Sequence, residues 1–585
     1  MLRRLMRIDG LKGDGWEKSQ MIRKRIEQVL KEAIERSKGE GALPPDVAIE
    51  PIVEIPREKG HGDYATTVPF QLARKARKNP EEIARALVSN MDAGALCSEV
   101  KIAAKGFINF HVRDEVFRSE LADILAKGVA GFFPPVGQGK KVIIEFVSAN
   151  PTGPLHIGHG RGAVVGDVLA AILQKTGHEV VREYYVNDAG RQIGTLGQSV
   201  YLRWKELRGE KVEYPSHLYQ GAYVRDIARL LLDDDGRIPR EEGEAVAFMA
   251  RFAADLVLAG IRKDLEDFRV FFDSYYSENG LYEKGLVDKT IEDLKERSCL
   301  YEQDGALWFR TAALGDDKDR VIIKSGGEKT YFASDIAYHR EKFDRGFDTL
   351  VDIWGSDHHG YIDRLKASIA ALGRNKDDLK VLLIQFVTLL KDGKPVGMST
   401  RSGQFTTLRE VVDEVGVDAS RFFFLMRKSD AHLEFDLDLA KKTTSENPVY
   451  YVQYAHARIE SIFRMAREGG IDLETIRNAD TSLLVLPEET DLTKGILNFF
   501  DVVEMSARIL EPHRLTFSLI DLVATFHSYY NKARVLGNEP PLTLARLALL
   551  RVLQGVIREG LGMLGVSAPE KMERTDDLPH KVSAP

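Results

Sequence analysis

Hydrophobic positions along the chain follow two periods. Over residues 19–38, Ile22, Ile26, Val29, Leu30 and Ile34 share one face at helical spacing, which predicts an amphipathic helix. Pro44, Pro45, Pro51 and Pro56 then favour extended chain, and residues 60–64 (GHGDY) make a turn. Asn79-Pro80-Glu81-Glu82 is a helix start: Asn79 caps, Pro80 suits the first turn and Glu82 can reach back. Residues 107–110 (FINF) alternate like a short strand. These pieces predict a small α+β domain that closes in the Pro- and Gly-rich stretch at 131–139.

From 140 to about 438 strand-like and helix-like segments alternate, the pattern of a parallel sheet. The opening strand holds Val142, Ile143, Ile144, Phe146 and Val147; Asn150, Pro151, Gly153 and Pro154 break it, and a helical pattern runs from 161 to 173. Strand, turn and helix in that order place a ligand at the strand's carboxyl end, facing the helix's unpaired N–H groups. Residues 201–320 are more helical and charged and read as insertions, returning to the sheet through 306–309 and 321–323. Residues 381–390 read as one buried strand with its flank. Beyond 447 helical stripes take over, first Val452, Ala455, Ile459, Ile462, Phe463 and Ala466, later Leu550, Leu553, Val556, Ile557, Leu561 and Leu564. The polar residues 573–585 are expected to fray.

Composition narrows the picture only a little. A chain of 585 residues exceeds one core and implies two to four domains. A net charge of −7 excludes an overall basic coat, yet permits a local basic face for nucleic acid. Cys97 and Cys299 stand far apart, so neither a disulfide framework nor a CxxC zinc site is expected, and a reducing cytoplasm fits. No apolar run reaches the roughly 20 residues that span a bilayer, so no membrane association is expected. Residues 1–18 read as a short extension rather than a signal peptide.

The block SANPTGPLHIGHGRGAVVGD, with YYVNDAGRQIG at 184–194, carries a resemblance. His156-Ile157-Gly158-His159 resembles the first signature of class I aminoacyl-tRNA synthetases, and the whole block resembles arginyl-tRNA synthetases. GHGDYATTVPFQLARKARKNPEEIA and KGFINFHV are similar to that family's N-terminal domain. PVYYVQYAHARIESI, FHSYYNKARVL and LGMLGVSAPEKM are similar to its anticodon-binding domain. The resemblance implies three domains: an N-terminal α+β tRNA-contacting domain over 1–135, a Rossmann-like α/β catalytic domain with helical insertions over 136–446, and an α-helical anticodon-binding bundle over 447–585. It also implies an enzyme that uses ATP and Mg²⁺, with no tightly bound metal. Such an enzyme converts L-arginine to arginyl-adenylate and transfers it to the terminal ribose of tRNA(Arg), as a monomer that needs the tRNA for activation.

Joining a carboxylate to the α-phosphate of ATP requires alignment and charge neutralisation more than covalent help. Two imidazoles at a helix start can donate to phosphate oxygens with the helix dipole behind them, and Gly158 leaves room for a flat adenine. By resemblance, His156 and His159 hold the triphosphate. The second signature falls at Gly397-Met398-Ser399-Thr400-Arg401, where both usual lysines are absent. Gly153 stands where some relatives carry a compensating lysine. Met398 and Ser399 keep the family pattern, and Arg401, Lys394 and Lys391 remain candidates for the missing cation; for Lys391 a solvated hairpin is the better reading.

A guanidinium is read by carboxylates through charge-assisted bonds. By resemblance, Glu145, Tyr331 and Asp335 read the side chain, while Ser148, Asn150 and His159 lie near the amino acid's backbone. Asp357, at another strand end, is a further candidate. For tRNA, the candidates are Arg74 and Lys75 with Arg77 and Lys78, and in the last domain Tyr454, Tyr529, Tyr530, Lys532 and Arg534. Two other readings compete. His156, His159, Asp357, His358 and His359 could ligate a metal in a hydrolase, although HxxH without the glutamate of HExxH is a poor match. A catalytically inactive tRNA-binding relative would also explain the missing lysines.

Overall fold

The computed structural model describes residues 21–56, 58–188, 190–232, 235–396 and 406–572. Met398, Ser399 and Arg401 lie outside the described residues. Five parallel strands form the central sheet: β1 (Lys141–Glu145), β2 (Glu179–Val186), β3 (Ser274–Ser277), β4 (Thr349–Gly355) and β5 (Leu379–Ile384), in the order β5-β4-β1-β2-β3. The chain runs outward from β1 through β2 to β3, then crosses back to β4 and β5 on the other side. The order reverses between β1 and β4, and a sheet that reverses opens a crevice at the carboxyl ends of those two strands. Val142, Ile143 and Ile144 of β1 are at most 3% exposed, as a strand covered on both faces requires.

Helix α1 (Ile157–Lys175) begins four residues earlier than the expected 161. The reason is its cap. His156 is the N-cap, its side chain accepts from the Gly158 and His159 N–H groups, and His159's side chain accepts from the His156 N–H. Two imidazoles therefore build a reciprocal capping box, a task usually given to Ser/Thr and Glu. The helix lies close on β1: a Cβ at Gly166 would stand 2.3 Å from the Phe146 ring.

Two expectations are corrected. Residues 306–309 and 321–323 do not rejoin the parallel sheet. They form, with Leu300–Gln303, a separate three-stranded antiparallel sheet, whose Phe309 and Ile322 pack with Phe332 and Ile336 of α2 (Tyr331–Asp344). Residues 381–390 are not one strand. β5 ends at Ile384, and Val387–Lys391 joins a different sheet with Leu433–Asp436 and Lys394–Pro395. The break falls where the Gln385 carbonyl accepts from buried Arg161 of α1, at 2.8 Å.

The chain divides into two compact units. One contains the residues up to Phe132 with Ile459–Asp501 and Asp521–Val556; the other contains Phe133–Arg458 with Val502–Ile520 and the residues from Ile557. The first unit carries a four-stranded antiparallel sheet, and Asn79 caps the helix Pro80–Ser89 as expected. Its strand Ile108–Val112 is interior, so Ile108, Asn109 and Phe110 are all buried instead of alternating, and Phe107 just before it is 40% exposed. The helix Pro540–Met563 is long and apolar enough to cross a membrane by length and composition, contrary to the reading from apolar runs. However, 72% of its apolar window is buried, and Leu547, Leu550 and Leu553 are fully covered, as in a core helix.

Candidate active site

A cavity of about 350 Å³ lies at the carboxyl ends of β1 and β4. Its lining includes Glu145, Ser148, Tyr331 and Asp335, so four of the residues singled out for the substrate side chain and backbone converge. Asp335 sits one turn into α2 and accepts a hydrogen bond from the Tyr361 hydroxyl. Burial pushes the Asp335 carboxyl above its usual range; Tyr361 and His339 pull it down, while Glu145 and Asp352 add to the rise. Tyr331 opens α2 at the cavity's lip and is 61% exposed. Its hydroxyl lies against Gly190 (φ 93°), where a Cβ would stand 3.1 Å away.

The strand end is strained. Val147 and Ser148 have φ of 67° and 39°, a left-handed pair that a β-branched residue rarely enters. Such backbone costs about 1–3 kcal/mol per residue and persists where its surroundings fix it. Here Ser148 Oγ donates to Glu145 at 3.0 Å and accepts from the Tyr185 N–H at 3.1 Å, and Tyr184 Oη donates to the Ala149 carbonyl at 2.7 Å.

At the floor of the cavity three acids stand side by side, since Glu145 of β1 is in register with Asp352 of β4 and with Glu183 of β2, and the first two line it. Lys342 Nζ, fully buried, lies 2.6 Å from Glu145 and 3.0 Å from Asp352. His339 Nε2 is 2.7 Å from Asp352. Arg345 grips Glu183 with two bonds of 2.6 and 2.8 Å. Nearby, burial and the charges of Asp335 and Asp188 push the Glu278 carboxyl up to about 7.

Beside the cavity stands the imidazole cap. Because Nδ1 of each ring accepts from backbone N–H, the neutral rings carry their proton on Nε2 and are set as donors. Burial, then the charge of His156, lowers the His159 pKa to about 3, and burial lowers that of His156. Thr407 bridges to His156, and the Leu408 N–H donates to the Leu155 carbonyl at 2.8 Å. The chain following 397–405 is therefore tied to the cap.

Other singled-out residues fall elsewhere. Asn150 does not line the cavity; its amide donates to Gln192 at 2.7 Å. Asp357 is exposed on the turn Ser356–Tyr361, and its neighbour His358 lines the cavity instead. Lys394 is exposed, and Lys391 pairs with Glu414 at 3.1 Å. Arg74 and Lys75 lie exposed on the helix Val68–Ala76, with Lys75 Nζ 2.7 Å from the Ala48 carbonyl. Tyr529 is fully buried and Tyr454 is 8% exposed, so as they stand neither ring is offered for stacking. Tyr529 continues the buried stripe of Leu522 and Phe526, which is why it faces inward. Tyr530 is half-buried, Arg534 is exposed, and exposed Lys532 pairs with Glu488 at 2.9 Å. Sequence reasoning missed Val147, His339, Lys342, Asp352 and Tyr361. Only the spacing of Tyr338, Lys342 and Arg345 along one helix hinted at the group.

A parallel sheet that reverses beside its first strand, with paired histidines capping the following helix, defines the catalytic fold of a class I aminoacyl-tRNA synthetase. Comparison with known proteins agrees. Residues 120–459 match the family "tRNA synthetases class I (R), catalytic domain". Residues 20–112 match "Arginyl tRNA synthetase N terminal domain", and 452–572 match "DALR anticodon binding domain". The chain is 50% identical over 554 residues to arginine–tRNA ligase of Syntrophotalea carbinolica, covering 94% of this chain and 100% of the relative. It is 53% identical over 527 residues to that of Geobacter sp. strain M21, covering 89% and 94%. Thermus thermophilus arginyl-tRNA synthetase shares the fold, with a TM-score of 0.76 at 23% identity over 94% of this chain and all of that one. The chain belongs to the arginyl-tRNA synthetase family and is an enzyme of the arginine–tRNA ligase type, with ATP as a substrate. This sets aside both the hydrolase and the inactive relative.

Proposed function

We propose that the cavity at the ends of β1 and β4 binds L-arginine and that the imidazole cap binds the ATP phosphates. The observation that carries this reading is Asp335: a carboxylate held by Tyr361 in a buried pocket, with its pKa raised by that burial. A guanidinium there supplies the missing charge through bidentate, charge-assisted bonds. Tyr331 covers it from the lip, and Ser148, on the strained turn, orients the backbone end of the amino acid. His159 and Asn150 line the approach to the α-phosphate.

With both substrates in place, an arginine carboxylate oxygen attacks the α-phosphorus of ATP and the bond to the β-phosphate oxygen breaks, releasing pyrophosphate. The Nε2–H groups of His156 and His159 donate to the phosphate oxygens whose charge grows in that step. A ribose hydroxyl of the tRNA(Arg) terminus then attacks the acyl carbon and AMP leaves. Mg²⁺, when present, would be held by the triphosphate oxygens and would neutralise phosphate charge there.

The three segments 1–135, 136–446 and 447–585 serve as tRNA-contacting, catalytic and anticodon-binding domains of a cytoplasmic monomer. Arg74 and Lys75 contact tRNA phosphates, and Tyr530, Lys532 and Arg534 approach the anticodon. Lys394 and Arg401 stand in for the absent signature lysines, beside Met398 and Ser399 of the same signature. ATP–pyrophosphate exchange over all amino acids, with and without tRNA, tests the reading. Exchange with arginine alone, dependent on tRNA and lost in Asp335→Asn, is the expected result; tRNA-independent exchange, or exchange indifferent to Asp335→Asn, contradicts it.

A further inference from the structure

We propose that Lys342 is a positioning residue for arginine recognition: it pairs with Glu145 and Asp352 at the floor of the cavity and so leaves Asp335 as the carboxylate that receives the guanidinium. The inference rests on reading this cavity as the arginine site.

The pairing of the buried acids carries it. Asp352, Glu145 and Glu183 stand in one register row across three adjacent strands and are 0%, 9% and 0% exposed. Three carboxylates cannot be buried side by side unless each is paired. All the cations come from α2 and the residue just past it. Lys342 bridges Glu145 and Asp352, and Arg345 clasps Glu183, which also accepts from Tyr338 Oη at 2.7 Å. His339 faces two acceptors, with Nδ1 2.8 Å from the Asp335 carbonyl and Nε2 2.7 Å from the Asp352 carboxylate. Lys342 and Arg345 are the permanent cations among these carboxylates, and Arg345 is shared with Glu341 at 2.9 Å.

Asp335 lies outside these pairs. Its described side-chain hydrogen bond comes from the neutral Tyr361 hydroxyl, and the row beneath has no charge to spare for it. Glu145 and Asp352 also line the cavity but are already committed, Glu145 with one oxygen to Lys342 and the other to Ser148 Oγ, Asp352 to Lys342 and His339. Lys342 thus does two things. It keeps Glu145 from competing with Asp335 for the guanidinium, and through Glu145 it fixes Ser148 on the strained turn. The same helix that presents Tyr331 and Asp335 to the substrate neutralises the acids behind them, two turns further along.

The test is steady-state ATP–pyrophosphate exchange by the full chain with tRNA. It compares wild type, Lys342→Met, the double variant Lys342→Met/Asp352→Asn, and Asp335→Asn. The double variant removes one charge of each sign, so the net charge of the row is unchanged and the chain folds even if the single variant does not. The expected result is an arginine KM raised ~10-fold or more in each Lys342 variant that folds, with ATP KM unchanged within about twofold. A double variant with wild-type arginine KM, or with arginine and ATP KM raised together, overturns the proposal and makes Lys342 structural. Asp335→Asn separates the two failures. If it raises arginine KM while the double variant does not, only the role of Lys342 falls; if it leaves arginine KM unchanged, the assignment of the cavity falls.

Discussion

His156 and His159 stack face to face across the first turn of α1, with ring centroids 3.6 Å apart and planes inclined by 18°. Two imidazolium ions cannot share that geometry in a partly buried site, so the pair works as two neutral donors. Replacing either one by Ala removes a donor to the phosphates and should lower kcat by ~10²–10³-fold, with arginine KM little changed. Each substitution also breaks the capping box, at about 1 kcal/mol of stability. Single-turnover adenylate formation together with a denaturant melt checks both effects; a kcat within threefold of wild type would falsify the role given to the pair.

Arginine binding should weaken on the acid side. Asp335 pairs with a guanidinium only when ionised, and burial holds its pKa above the usual carboxylate range despite Tyr361 and His339. As pH falls through that raised value the carboxyl takes a proton and affinity is lost, at a higher pH than for an ordinary aspartate. Arginine KM measured from pH 8 downward should therefore climb in wild type and stay flat, though high, in Asp335→Asn. A flat wild-type profile goes against the assignment.

Stability has its own pH dependence. Glu278 is 4% exposed and its folded pKa is about 7, above the ordinary 4.5. Glu120 is likewise pushed up to about 7, by burial above all. Between those values the folded chain retains protons that the unfolded chain has released, so this contribution is full below pH 4.5 and is lost as pH rises to about 7. Urea midpoints measured at pH 5 and 8 should fall less steeply for Glu278→Gln than for wild type. An equal fall in both shows that Glu278 does not carry the effect.

Arg161 is fully buried in α1 and donates to three backbone carbonyls, those of Gln385, Ala431 and Lys428, each at 2.8 Å. These carbonyls flank the sheet that leads into residues 397–405. Arg161→Met should cost more than ~3 kcal/mol, because three buried acceptors lose their donors. Arg161→Lys should recover less than half of that, since one ammonium on a flexible stem cannot replace the planar fork. Thermal unfolding of the two variants decides this, and equal stability of Lys and Met would support it even more strongly than partial recovery. A lysine variant as stable as wild type would refute it.

How much was legible depended on whether the cause was local. The apolar run of β1, the Asn79 cap and the helical stripes after 447 are written in short-range periods, and all appear in the structure. The register that sets Asp352 and Glu183 beside Glu145 is not, because it depends on strand order. The φ of Val147 is opposite to its propensity, so only the fold imposes it. Residues 306–309 were misplaced because a strand pattern does not name its sheet. Tyr529 and Tyr530 were both candidates for stacking, and the continuation of the Leu522 and Phe526 stripe, which puts Tyr529 inside, was not used to separate them.

A crystal structure with arginine and a non-hydrolysable ATP analogue tests the central claim most directly. The guanidinium should lie within about 3 Å of the Asp335 carboxylate, and phosphate oxygens within about 3 Å of the two Nε2 atoms. Arginine bound elsewhere, or phosphates remote from the first turn of α1, would contradict it.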